Sequence, residues 1–152
     1  MTVARAPLPG RALGVDLGSR RIGIAVTDSA ATMALPRTTL VRSGDPAGDR
    51  RRLVALILEE EAVVVVVGLP LSLDGSRGPA ALAAVDEAAS LRALLTEHRI
   101  EVELFDERLT TVTAHRALAA GGSRERDRRG TVDQAAAAVM LEAWLRTTGS
   151  RR

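Results

Sequence analysis

Cysteine and lysine are both missing from this chain of 152 residues, which also carries a single Phe, a single Trp, no Tyr and only two His. Without cysteine there can be no disulfide, no thiol nucleophile and no Cys-ligated zinc or iron–sulfur centre. His98 and His115 stand too far apart to read as a His-based zinc motif. All 21 basic residues are Arg, which excludes the P-loop, whose phosphate contacts need Lys, together with Schiff-base and catalytic-lysine chemistry. No apolar run reaches the length of a membrane span, and Met1–Arg11 lacks the apolar stretch of a secretion signal. The expected location is the cytoplasm.

What is present is ordinary for a globular protein: 46% hydrophobic and 26% charged residues. The length fits one domain over residues 1–152, with 1–10 as a flexible arm and 148–152 as a tail. The pI near 10.7 overstates the charge. The formal net charge is only +2, and with no Lys, Tyr or Cys almost nothing titrates between the α-amino group and Arg. Where the arginines sit is more informative than their sum.

Hydrophobic patterning predicts strands over Arg11–Gly18, Ile22–Asp28 and about Met33–Arg42, the first two joined by a turn at Ser19-Arg20-Arg21. Helical spacing follows over Arg50–Glu61. Ala62–Gly68 contains five consecutive valines, the pattern of a strand buried on both faces. Pro79–Arg99 reads as a helix, Ile100–Asp106 as a fifth strand, Thr110–Ala120 as a helix, Ser123–Gly130 as a polar loop and Thr131–Arg146 as the last helix. The expected fold is α/β in three layers: a five-stranded mixed sheet, three antiparallel strands then two parallel, flanked by helices. Right-handed crossovers put the valine strand beside the first strand.

Three segments could carry chemistry. On the first strand Gly14, Asp16 and Gly18 share one face. Asp16 is then a carboxylate with no side chain above or below it, which leaves room for a phosphate or a metal. The plain alternative is a strand-end Asp bonding a turn amide. Asp133 falls in Thr131-Val132-Asp133-Gln134, a capping-box spacing that places it in the first turn of an otherwise apolar helix. There it could simply offset the helix dipole, or it could meet a divalent cation. Asp106-Glu107-Arg108 closes the fifth strand, and Thr110 and Thr111 follow it with hydroxyls suited to a phosphate. An exposed acidic turn with a cap is the alternative there, and Asp74 is a reserve acid. Three such carboxylates could hold two metal ions roughly 3.5–4 Å apart, which activate a water and stabilise a leaving phosphodiester oxygen.

These segments resemble the YqgF/RuvX family. Gly14–Asp28 is similar to that family's opening motif, and Val67-Gly68-Leu69-Pro70 with Asp74-Gly75-Ser76 to its loop after the fourth strand. Asp106-Glu107-Arg108-Leu109-Thr110-Thr111 is similar to its most specific signature, and Asp133-Gln134-Ala135-Ala136 to its closing motif. The four stand in the family's order and span Leu13 to Leu145. The resemblance implies a ribonuclease H-like fold and a nuclease dependent on Mg²⁺ or Mn²⁺. Its activity would be maturation of the 5′ end of precursor 16S rRNA, in contact with ribosomal particles, or resolution of Holliday junctions in branched DNA, as a monomer or homodimer. Carried over, Asp16, Glu107 and Asp133 become the metal-binding catalytic acids, with the choice between Asp106 and Glu107 open.

Arginines supply candidate phosphate contacts: Arg20 and Arg21 in the hairpin turn, Arg108 beside the acids, and Arg124, Arg126, Arg128 and Arg129 ahead of Asp133. Glu125 and Asp127 interrupt that last run, where the family usually has an unbroken basic stretch. Arg50, Arg51 and Arg52 open the first helix, and a merely solvated surface is the plain reading of them all. Phe105 and Trp144 are expected in the core, so no platform for stacking bases is visible and recognition would be through backbone and shape.

Two other classes remain. Gly14–Thr27 is also similar to the phosphate-binding hairpin of actin-like and sugar-kinase ATPases, but those enclose a nucleotide between two such domains and this chain has one hairpin. A non-catalytic RNA- or ribosome-binding adaptor could keep the same fold and acids without turnover.

Overall fold

A computed structural model describes residues 10–110 and 125–149, with the side chains of the last helix described from Val132 to Thr148. The strands are β1 (Arg11–Leu17), β2 (Arg21–Thr27), β3 (Ala34–Val41), β4 (Ala62–Leu69) and β5 (Glu101–Asp106). The helices among the described residues are α1 (Pro46–Glu59), α2 (Pro79–Leu95) and α3 (Glu125–Gly149), with single 3₁₀ turns at Thr96–His98 and Glu107–Leu109. The sheet runs β3-β2-β1-β4-β5. β1, β2 and β3 pair antiparallel, and β1–β4 and β4–β5 pair parallel. This is the mixed α/β sheet expected from the order of the elements.

Alternation on β4 sorts the two cores. Val65 and Val67 join Leu13 and Val15 on the side covered by α1 and α2, against Leu53, Ile57 and Leu91. Val64 and Val66 face the other way, packing with Phe105, Ala137, Met140, Leu141 and Trp144 under α3. The indole N–H of Trp144 donates to Oε2 of Glu103 at 2.8 Å, so the tryptophan is both packed and satisfied.

The last helix departs from expectation. The stretch 125–130 is helical, not a polar loop, and α3 begins at Glu125. Arg and Glu are strong helix formers, and Gly130 costs an interior helix only about 1 kcal/mol, too little to stop one held by an apolar face downstream. Asp133 consequently lies about two turns into the helix, not in its first turn, and the capping-box reading of Thr131 to Gln134 falls. Helix α1 also starts earlier than its apolar spacing suggests, because Pro46 occupies its first turn.

Candidate active site

Asp16 is almost fully buried, with 4% of its surface exposed, on the face of β1 that α3 covers. The room beside it differs from the sequence expectation. A β-carbon at Gly14 would lie 3.2 Å from Cβ of Leu141 and 3.3 Å from the carbonyl oxygen of Ala137, so helix α3, not a ligand, uses that space. At Gly18 the neighbour is the Arg21 carbonyl, which closes the hairpin by accepting from the Gly18 N–H at 2.9 Å.

The positions without side chains that flank Asp16 lie across the sheet instead. Asp16 pairs with Gly23 on β2. On β4, Gly68 stands one residue beyond Val67, the partner of Val15, and so falls level with Asp16. A β-carbon at Gly23 would overlap the carbonyl of Asp133 and come 3.1 Å from the Gln134 nitrogen. One at Gly68 would overlap Oε1 of Glu107 and lie 2.9 Å from Sδ of Met140. Thus the row Gly23–Asp16–Gly68 has the Asp133 backbone over one end and the Glu107 carboxylate over the other. Adjacent strands are about 4.8 Å apart, so Glu107 reaches from β5's end to the strand next to Asp16. Among the described residues, no group of three acidic or histidine side chains already has the spacing to hold a metal ion.

Asp106 is differently employed. Its Oδ1 accepts from the Arg108 backbone N–H at 2.9 Å, capping the 3₁₀ turn, and its carboxylate takes Arg108 Nε at 3.1 Å and Nη2 at 2.7 Å. These bonds from Arg108 hold the Asp106 carboxyl below its usual range, and the carboxylate in turn raises Arg108. Arg108 also reaches the Leu73 carbonyl at 3.4 Å, and its Nη1 lies against Gly75, whose φ of +86° makes the tight turn of that loop. Asp74 accepts from the Ser76 N–H at 2.9 Å; bonds from Ser76, with Arg108 nearby, keep its carboxyl low.

The hydroxyl of Thr110 donates to the Glu107 carbonyl at 2.8 Å, fixing the backbone that carries Glu107. Arg20 is exposed and Arg21 half-buried at the hairpin turn. Thr111 and Arg124 lie outside the described residues, as does the expected helix beyond Thr110, and Arg126, Arg128 and Arg129 are described only as backbone in α3. Sequence reasoning passed over Gly23 and Gly68. The signal was available in β2, where Ile22, Ile24 and Val26 alternate with the small Gly23 and Ala25, the pattern of a strand that a helix approaches closely.

The family model described as "RuvX: Holliday junction resolvase" matches residues 10–147. A protein of Kineococcus radiotolerans named "Putative pre-16S rRNA nuclease" is 50% identical over 137 residues, covering 90% of this chain and 72% of that protein. One of the same name from Mycolicibacterium paratuberculosis is 47% identical over 140 residues, covering 91% and 81%. Among solved structures, Thermus thermophilus RuvC in complex with Holliday junction substrate aligns with a TM-score of 0.56 at 13% identity, over 93% of this chain and 97% of that one. The yeast mitochondrial Holliday junction resolvase Ydc2 aligns at 0.58 with 10% identity, over 97% and 82%. At such identities the likeness is one of fold, and it bears out the ribonuclease H-like architecture.

Proposed function

The chain belongs to the RuvX family, and from that premise we propose that it is a nuclease hydrolysing phosphodiester bonds in precursor 16S rRNA, at the 5′ end of the mature sequence. The observation that carries this reading is the 50% identity with a curated relative of that name, along nearly the whole chain. The acid row supports it from the chemical side.

Buried Asp16, Glu107 with its carboxylate over Gly68, and Asp133 with its backbone over Gly23 are the residues that would hold Mg²⁺ or Mn²⁺. Carboxylate oxygens suit such hard cations, and the two glycines keep the flanks of Asp16 free of side chains of their own. When bound, such ions supply a nucleophilic water and neutralise the leaving oxygen. The chain's own part is placement. The sheet fixes Asp16, the Thr110 hydroxyl steadies the Glu107 backbone, and α3 presses the Asp133 backbone onto β2. The Glu107 carboxylate stands over Gly68, on the strand next to Asp16, which favours it as the second acid. Arg108 stands at the mouth to position a phosphate, and Arg20, Arg21 and the arginines before Asp133 add charge for the strand.

The family model's description names a second substrate, the Holliday junction. One experiment separates the readings. A labelled precursor-rRNA 5′ segment and a four-way DNA junction are each incubated with Mn²⁺, with chelator, and with the Asp16→Asn variant. Metal-dependent cutting of the rRNA, lost in the variant, is the expected result. Cutting of the junction alone transfers the assignment to branched DNA, and binding of either without cutting under any metal makes the protein an adaptor.

A further inference from the structure

Beyond the acid row, the end of the sheet carries a second charged feature. The hairpin turn Ser19-Arg20-Arg21, the residues after β3 and the start of α1 enclose an open groove of about 440 Å³. Arg20, Arg21 and Arg42 line it, with Gly44 and Pro46 on the far wall. Its floor is stiff. The Arg42 N–H donates to the Arg20 carbonyl at 2.9 Å, and Arg42 Nε donates to the Gly18 carbonyl at 2.8 Å, tying the turn to the end of β3. Gly44 has φ +88° and nothing within 4 Å of where a side chain would start, so that wall stays low.

The acid within the groove does not cancel these arginines. Asp49 is 3% exposed and already accepts from the Ser43 N–H at 3.1 Å, the Ser43 hydroxyl at 2.7 Å and Arg52 Nη2 at 2.8 Å. Among the described residues no acidic side chain engages Arg20 or Arg21, and Arg42 uses only its Nε. Arg20, Arg21 and Arg42 therefore line one open, concave surface, and guanidinium groups suit bidentate phosphate binding. Arg21 lies two residues from Gly23, the cross-strand partner of Asp16, which is about 7 Å along the strand. The groove opens on the α1 side of the sheet, whereas the acids lie on the α3 side.

We propose that this groove is a phosphate-binding subsite for a single nucleic-acid strand, with Arg20, Arg21 and Arg42 as its ligands, so that the strand crosses the end of the sheet over the hairpin turn between the groove and the acids. The proposal rests on the nuclease reading and adds to it a sequence-independent grip away from the reacting bond.

The test is salt-dependent binding of a short mixed-sequence RNA oligonucleotide and its DNA counterpart, measured in parallel with cleavage of the precursor-rRNA segment. The proteins are the wild type, Arg20→Gln, Arg20→Gln/Arg21→Gln, the same pair with Arg42→Gln, and Arg99→Gln at the other end of the sheet as the equal-charge control for Arg20→Gln. Because Arg42 also ties the turn, the double variant keeps the test sound if the triple variant unfolds. The salt slope is expected to fall by about 0.7 for each phosphate contact removed, with weaker binding of both strands and no change in Arg99→Gln. Groove variants that bind and titrate like Arg99→Gln, while the wild type binds and cuts, overturn the subsite and leave the nuclease standing. A wild type that binds neither strand overturns both.

Discussion

The carboxylate of Glu107 uses the space that Gly68 leaves by having no side chain, its Oε1 so close that a β-carbon on residue 68 would overlap it. Residue 68 therefore acts on the site by being absent. Gly68→Ala should displace the Glu107 carboxylate and the Met140 thioether, both ends of flexible chains, at a stability cost of no more than about 1 kcal/mol. Cleavage should fall by about 100-fold, the scale of losing a supporting interaction at a metal site. Thermal unfolding beside a cleavage assay checks the split; an active Gly68→Ala enzyme would remove Glu107 from the site.

Gly23 makes the opposite kind of contact. A β-carbon there meets the Asp133 carbonyl and the Gln134 nitrogen, which are backbone of α3 and cannot swing aside. Gly23→Ala should destabilise the fold by at least about 1–3 kcal/mol, because the helix must lift from β2. A denaturant titration showing a lower midpoint, and a larger loss than in Gly68→Ala, is the expected outcome.

The neighbouring acids should separate by function. Asp106→Asn keeps an oxygen to cap the Arg108 N–H but loses the charged fork to the guanidinium, freeing Arg108 and removing one negative charge from the mouth. It should bind substrate more tightly and retain cleavage. Glu107→Gln should lose cleavage by about 100-fold or more while still binding. Reversal of that pattern in single-turnover assays would make Asp106 the catalytic acid.

These outcomes depend on features legible to different degrees in the chain. The run Val63 to Val67 announced a strand buried on both faces, and the meander before it set β4 beside β1, because short connections and right-handed crossovers leave few other arrangements. Asp16 stood out through its glycine neighbours, although Gly14 and Gly18 serve the helix and the turn. The start of α3 was not legible. Arg, Glu and Asp around Gly130 read equally well as a solvated loop, and only the packing of Ala136, Ala137 and Met140 downstream decides for helix. Nor could spacing alone show that Glu107 stands over Gly68 while Asp106 binds Arg108, since both depend on the path of the chain after β5 in three dimensions.

Acid should expose the anchoring of the loop between β3 and α1. The carboxyl of Asp49 is held below its usual range, first by the Ser43 hydroxyl and then by Arg52. A carboxyl lowered in the folded state favours folding in its ionised form. The contribution is complete above the unfolded value of about 3.9 and is lost as pH falls through the lower folded value. Asp49→Asn lacks it at every pH. The variant should therefore be less stable than wild type at neutral pH, by a margin that stays constant down to about pH 4 and narrows only below it. Chemical denaturation at a series of pH values checks this, and a margin that closes at neutral pH would mean that Asp49 does not carry its charge in the fold.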